Sequence, residues 1–379
     1  NGEAPYRLIG NVRMRHDSVL IFCDSLYQYK EQNRITAFGN VKVIMQDSAE
    51  LHARKLDYDG NTRIVEAYDN VKLFNPRARL HTPRMTYYRN EEYGFYRKGG
   101  TIFNGTDTLT SKRGYYYPQE DMLYFRNEVV LDNPDYHLES DSLDYDAANK
   151  RAIFVSPTRI VNEEGTLNSE KGYYDTETKV LSLSEGSSLA NEDYLVEGKT
   201  IVFDDEKKRG VATGDVKISP TDSSLSISGQ YGEFSERDST SFVTDEALAV
   251  QYFTGDTLYL TGDTLYSLKD TNGNRVFRVF HQTFFYLHEM QGRADSLVYH
   301  YEDSVIYMFG NPVLWSDSTQ ITADTIIVFL KNEQADSLSL IRNCFVVSQL
   351  DSLAFNQIFE ENSEPPAPSA IEKSLLADW

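Results

Sequence analysis

Residues 37–67 read AFGNVKVIMQDSAELHARKLDYDGNTRIVEA, and the spacing of their apolar side chains decides between helix and strand. Val41, Val43 and Met45 alternate, as do Ala49, Leu51 and Ala53, which is the period of two that a strand requires. The three-and-four spacing of a helix does not fit. Two turn signals divide the stretch: Gln46-Asp47-Ser48 on one side and Asp59-Gly60-Asn61 on the other, where Asp-Gly is a strong hairpin signal. The stretch therefore reads as two antiparallel strands.

The alternation slips once within each strand. Leu51 and Ala53 share a face, but the next apolar pair is Leu56 and Tyr58, so Arg54 and Lys55 both fall between inward positions. Ala67 and Val71 show a similar slip around Asp69-Asn70. Such a slip is a bulge or corner, which bends the strand and returns its apolar side to the same concave surface. Two short motifs sit at these corners. Gly39-Asn40 recurs as Gly10-Asn11, Asp69-Asn70, Asn127-Glu128, Gly214-Asp215 and Gly310-Asn311; Asp-[Ser/Thr]-Leu, first seen as Asp24-Ser25-Leu26, recurs at 141–143, 263–265, 295–297 and 351–353, with Asp324-Thr325-Ile326 a near copy. Small polar side chains there are expected to bond backbone groups freed by the bend, and Gly to take an unusual dihedral.

Aligned on the last residue of the Asp-[Ser/Thr]-Leu motif, the copies fall at Leu26, Leu56, Met85, Gly114, Leu143, Gly172, Ile201, Gly232, Leu265, Leu297, Ile326 and Leu353. Successive spacings are 30, then 29 five times, then 31, 33, 32, 29 and 27. The whole chain is one array. The expected fold is all-β: an elongated antiparallel β-jelly-roll, or V-shaped creased sheet, of about twelve two-stranded repeats with an unpaired edge strand at each end. Residues 1–242 read as regular repeats and 243–358 as a less regular continuation; 359–379, a Pro-containing tail that matches no repeat, is expected to be disordered. With two strands per repeat and about 4.8 Å between strands, the body is expected to be on the order of 115 Å long.

Composition narrows the function. A formal charge of −21 over 379 residues opposes the phosphate neutralisation on which most nucleic-acid binding rests, so no nucleic-acid partner is expected. No apolar run reaches the 18 to 20 residues of a spanning helix. Because Asn1 lies within a few residues of the first repeat, removal of a leader is expected. The two cysteines, Cys23 and Cys344, fall in the first and twelfth repeats, too far apart to bridge; Cys23, whose equivalents include Ala53, Ala294 and Ala323, reads as a small inward residue.

The segments RLIGNV (7–12), CDSLYQY (23–29), AFGNVKV (37–43), GGTIFNGTDTLTS (99–111), GDTLY (262–266), NPVLW (311–315) and FNQI (355–358) resemble the OstA-like (organic-solvent-tolerance) family of lipopolysaccharide-transport bridge proteins, in its long Bacteroidetes-type form. The resemblance spans residues 6–358; after FNQI the chain departs from it, running into FEENSEPPAPS. It implies a periplasmic β-jelly-roll that holds the acyl chains of lipopolysaccharide, or lipid A, in its interior. It also implies docking to inner- and outer-membrane transport components by strand addition at the open edges, with head-to-tail self-association as a further use of those edges.

The residues support the lipid reading in one respect. Each CH2 removed from water is worth about 0.8 kcal/mol, so a continuous apolar trough binds a multi-chain lipid without any enzyme chemistry. Candidate lining residues are Val41, Val43, Leu51, Leu56, Tyr58, Val71, Leu73, Leu80, Val129, Leu131, Leu138, Leu143, Val216 and Ile218; read singly, each is an ordinary core position. Lys42, Glu50 and His52, one residue away, should face water.

Rival readings rest on less. A surface or adhesin-like scaffold, possible also in a calcium-stabilised form, would stack the carboxylates present at Asp263, Asp295, Asp324 and Asp351. The middle repeats carry Arg54, Pro83, Lys112, Glu170, Lys199 and Gln230 there instead, and no Gly-Gly-x-Gly-x-Asp ladder occurs. A glycan-cleaving enzyme needs a convergent carboxylate pair, and nothing among 58 acidic residues selects one. No cofactor, metal or catalytic motif is present. His52 and His81, 29 apart, read as neighbouring outward histidines without a third ligand. Arg275, Arg278 and His281, beside Phe277, Phe280, Phe284 and Phe285, could meet lipid phosphates at a groove mouth, although a loop and strand account for them as well.

Overall fold

Each repeat folds into two long antiparallel strands that bend at the same depth. The structure, a computed structural model, describes residues 4–16, 19–45, 49–75, 78–163, 165–221, 224–253, 255–288, 290–331 and 334–349. These form a single antiparallel sheet of 32 strand segments, with no helix among the described residues. Fourteen segments run unbroken from turn to turn, such as Arg34–Ile44 and Val180–Asn191. The other eighteen are halves of nine strands interrupted at the bend. Tyr93–Tyr96 and Gly100–Asn104, for instance, both pair with Arg79–Tyr88. The sheet therefore has 23 rungs. Leu353, FNQI and the 359–379 tail lie outside the described residues.

The bend is a bulge in the register. Pairing jumps between Ile9 and Val12, Phe38 and Val41, Tyr68 and Val71, Arg126 and Val129, and Thr213 and Val216. At every one of these jumps two consecutive residues take positive φ: Gly39 and Asn40 at 70° and 46°, Asp69 and Asn70 at 61° and 55°, Gly214 and Asp215 at 71° and 50°. Gly, Asn and Asp tolerate that region best. The Gly-Asn motif is thus the crease itself, and it divides the sheet into two walls.

One sequence expectation is corrected here. The corner Asp does not serve the freed backbone; it reaches the side chain of the neighbouring corner. Asp24 Oδ2 accepts from Asn40 Nδ2 at 3.0 Å, and Asp324 accepts from Asn343 Nδ2 at 3.0 and 3.1 Å. In the middle repeats the pair becomes ionic, Lys112 with Glu128 at 3.1 Å and Lys199 with Asp215 at 2.9 Å. Backbone groups at the crease are served one position earlier, by buried hydroxyls 29 residues apart. Thr82, Ser111, Ser140 and Ser169 donate to the carbonyls of Arg84, Arg113, Ser142 and Lys171. A hydroxyl so placed satisfies an acceptor that burial would otherwise leave unpaired. Cys23, Ala53, Ala294 and Ala323 hold the same position in other repeats and are all buried.

The turns fall where Asp59-Gly60-Asn61 signalled them, between Asp59 and Ile64. Gly60 does not take positive φ; Arg63, at the end of the turn, does, at 55°. Asp59 Oδ1 accepts from the amides of Asn61 and Thr62, and Asp146, Asp175 and Asp204 close later turns in the same way. Successive turns are tied together by a backbone bond, as from Gly60 N to Asn33 O at 2.7 Å and from Thr176 N to Lys150 O at 3.0 Å. Gly60 is small because Asn33 lies over it.

Side chains from both walls meet inside. Leu26, Leu56, Met85, Gly114, Leu143, Gly172, Ile201, Gly232, Leu265, Leu297 and Ile326 fall on alternate rungs of one inward row beside the crease. Sizes complement along it: Ala37 and Ala67 flank Leu56, whereas Tyr96 and Phe125 flank Gly114. The buried core falls into two clusters, one reaching from Val12 to Met85 and one from Ile102 to Cys344. Between them stands Tyr96, 4% exposed, its hydroxyl 2.7 Å from Ser111 Oγ.

Candidate functional site: the trough between the walls

The second wall presents a row of inward side chains that is apolar on every rung from Met14 to Phe285, with Gly292 next. Cross-strand pairs carry it from Met14 and Ile21 through Val43, Leu51, Leu73, Leu80, Ile102 and Leu109 to Leu131 and Leu138. It continues through Ile160, Leu167, Leu189, Val196, Ile218 and Ile227 to Ala249, Leu260 and Phe285. Facing it on the first wall, two positions beyond each anchor residue, run Tyr58, Tyr87, Tyr116, Tyr145 and Tyr174, each 29 residues from the last, and then Phe203. Period-two alternation on both walls thus encloses a channel of aliphatic and aromatic surface.

All fourteen sequence-predicted lining residues face inward, and they divide into two groups. Val41, Val43, Leu51, Leu56, Val71, Val129, Leu138, Leu143, Val216 and Ile218 are buried, those beside the crease completely so: Val71 is 0% and Val41 1% exposed. Such residues are filled core. Tyr58, Leu73, Leu80 and Leu131 are half-buried and lie further from the crease. Leu131 and Leu138 line an open-sided hollow with Phe154, Ile160, Leu167, Leu181, Leu189 and Phe203.

A second, smaller hollow was not among the sequence-predicted positions. Leu225, Ala249, Leu258, Leu260, Phe277, Phe285, Met308 and Val328 line it. The signal was present in DTLYLT, where Leu258 and Leu260 alternate. Gln251 Oε1, in the wall of this hollow, is buried with no hydrogen-bond partner, so a ligand's N–H or O–H entering there would meet an unspent acceptor.

Polar groups ring the mouth of the first hollow: Asn162, Tyr174, Asn191, Asp205 and Glu236, with Tyr136 beside them. Burial pushes the Tyr136 hydroxyl up to about 12 and raises Tyr174 as well. Tyr194 is raised too, by burial first and then by the Glu236 carboxylate. These phenols stay neutral donors at ordinary pH.

The outer face is chemically different. Lys42 and Glu50 pair at 2.9 Å, and His52 Nε2 lies 3.2 Å from the same carboxylate, as the alternation predicts. His52 and His81 each meet a phenylalanine edge-on, Phe74 and Phe103, and Lys72 pairs with both on the rung between. The basic cluster of the sequence reading is dispersed: Phe277 and Phe285 turn inward and are buried, Arg278 and Phe284 turn outward, and His281 sits at the crease. Among the described residues no group of three or more His, Cys, Asp or Glu is placed to hold a metal ion.

The sheet ends in two edges. Tyr6–His16 pairs only with Val19–Tyr29, and Leu8 and Ile9 on it are 52% and 78% exposed. At the far end, Phe345–Ser348 pairs with Thr319–Thr322 and exposes Phe345, Val346 and Val347. Among the described residues, nothing covers either edge.

The profile of the OstA-like protein family matches residues 1–141 and 137–199, together more than half of the 379 residues. A solved structure, LptH from Pseudomonas aeruginosa, described as the LptA-homologous periplasmic component of the conserved lipopolysaccharide transport device, is 10% identical; the match covers 42% of this chain and 96% of that one, with a TM-score of 0.21. No curated protein matches the chain.

Proposed function

The chain belongs to the OstA-like protein family, and from that premise we propose that it is a periplasmic carrier of lipopolysaccharide, holding the lipid A acyl chains in the trough between its walls and acting without enzyme chemistry. The observation that carries this is the inward row of the second wall, apolar on every rung from Met14 to Phe285 and opening into one hollow lined by Leu131, Leu138, Leu181 and Phe203 and another lined by Leu258, Leu260, Phe277 and Met308. Burying acyl chains there gains about 25 cal/mol per Å2 of apolar surface, and the head of the lipid stays in water at the mouth. The exposed apolar side chains of the two edge strands suit docking by strand addition. Their partners are transport components of the inner and outer membranes, or a second copy set head to tail.

Adjacent residues of one strand test the reading. Leu181 points into the first hollow, while Ser182 pairs with Tyr173 and Val202 on the outer face. A photoreactive residue at 181 should crosslink to lipopolysaccharide and one at 182 should not. Equal labelling from both, or none from 181 in a folded protein, rejects a lipid-filled trough.

A further inference from the structure

We propose that Asn191, Tyr194 and Glu236 form a clasp that closes the mouth of the trough between its two hollows and must open for a lipid to pass from one to the other. The proposal rests on the reading of the trough as a lipid path. Asn191 and Tyr194 flank the turn between Val180–Asn191 and Tyr194–Asp204, at the tip of the second wall. Glu236 follows Leu225–Ser235, at the tip of the first. Asn191 Nδ2 and the Tyr194 hydroxyl both donate to Glu236 Oε1, each at 3.1 Å. These bonds join residues 45 and 42 apart in sequence and cross the mouth from wall to wall.

Beneath the clasp the lumen is filled. The Tyr194 ring meets Phe234 edge-on at 5.8 Å, and Phe234 stacks on Phe203 at 5.9 Å. Phe234 lies over Gly210, where a Cβ would fall 2.1 Å from the ring, and Ile218 below is 2% exposed. The first hollow ends at Asn191 and Glu236; a smaller, more polar one lined by Tyr194, Ile218, Phe234, Glu236 and Lys269 opens on the far side of the clasp, and the apolar second hollow begins at Leu225. A lipid whose chains lie in the trough and whose head lies outside has its linkage in the mouth itself. The closed clasp therefore blocks that linkage, and the Tyr194–Phe234 contact blocks the chains.

Spin labels at Glu192 and Arg237, exposed residues on the two turns, read the opening by pulsed dipolar spectroscopy once Cys23 and Cys344 are replaced by Ala. Lipid-free protein should give one short distance. Glu236→Ala removes the acceptor of both bonds, and the longer-distance population should rise roughly tenfold or more; Tyr194→Phe, which keeps the ring, should fall between. Saturating lipopolysaccharide should shift the parent protein the same way. An unchanged distribution in Glu236→Ala overturns the latch. An unchanged distribution in the parent while residue 181 crosslinks to lipid overturns the gate, leaving a static rib. No crosslinking from 181 removes the lipid path itself, and with it the gate, while the Glu236→Ala arm still reads the latch independently.

Discussion

Asp24 accepts a hydrogen bond from Asn40 at 3.0 Å, and a Cβ on Gly39 would fall 2.2 Å from that same carboxylate. The two recurring motifs are therefore one structure seen from neighbouring strands. Gly is needed both because φ is +70° and because Asp24 lies over it. Gly310 stands in the same relation to Asp295, and Gly214 to Lys199.

From this pairing, Gly39→Ala should destabilise the first rungs by about 1–2 kcal/mol for the left-handed backbone alone, plus the cost of displacing Asp24. Asp24→Ala in the same chain should recover the second part and not the first. Hydrogen exchange of the rungs from Val19 to Asp59 measures both. Equal loss in the single and double variants would show that the carboxylate is not what excludes a side chain at 39.

A second prediction concerns the inward row. Gly114 is anchor to a rung whose neighbour is Tyr96, and a Cβ at 114 would meet that ring at 2.4 Å. Gly114→Leu should cost about 1–3 kcal/mol or more by overpacking, and Tyr96→Ala about 3–5 by leaving a cavity. Combined, they recreate the Ala67–Leu56 pattern of an earlier repeat, so the double variant should lose less than the sum. Strict additivity in denaturant unfolding would contradict the row's size complementarity.

The repeat period, the strand pairing, the crease and the inward faces were all legible in the sequence, because each is a local rule repeated many times. The residues that set the openness of the trough were not. Whether Phe234 or Tyr194 fills the lumen depends on rings reaching across from the opposite wall, and no period relates Asn191 to Glu236. The side-chain partner of Asp24 escaped for a similar reason. A corner Asp suggests a local backbone bond, whereas register places Asn40 beside it from the next strand.

Acid should loosen the turns in a defined window. The Thr178 amide, and then the Arg151 guanidinium at 3.1 Å, hold the Asp175 carboxyl down at about 2. Because the folded value lies below the unfolded one of about 3.9, its contribution is present above pH 4 and is lost as pH falls toward 2. Asp175→Asn should therefore be less stable than the parent at pH 6, and the gap should close between about pH 4 and 2. A gap that persists at pH 2 would assign the loss to packing and not to the ionised carboxylate.

The last prediction follows from charge. On the proposed reading, a formal charge of −21 with Asp205 and Glu236 at the mouth of the first hollow repels a phosphate-bearing head, so apolar burial must supply the affinity. Screening weakens the repulsion, since the Debye length falls from about 30 Å at 0.01 M salt to about 8 Å at 0.15 M, while apolar burial is little affected over that range. Lipopolysaccharide should therefore bind more tightly as monovalent salt rises, opposite to the behaviour of a site built on Lys and Arg. Glu236→Gln should flatten the dependence, because it removes a charge at the mouth while leaving an oxygen for Tyr194. Titration at several salt concentrations, with residue 181 as the crosslinking site, gives the slope; affinity that falls with salt would place the lipid head against cations and move the binding site away from this mouth.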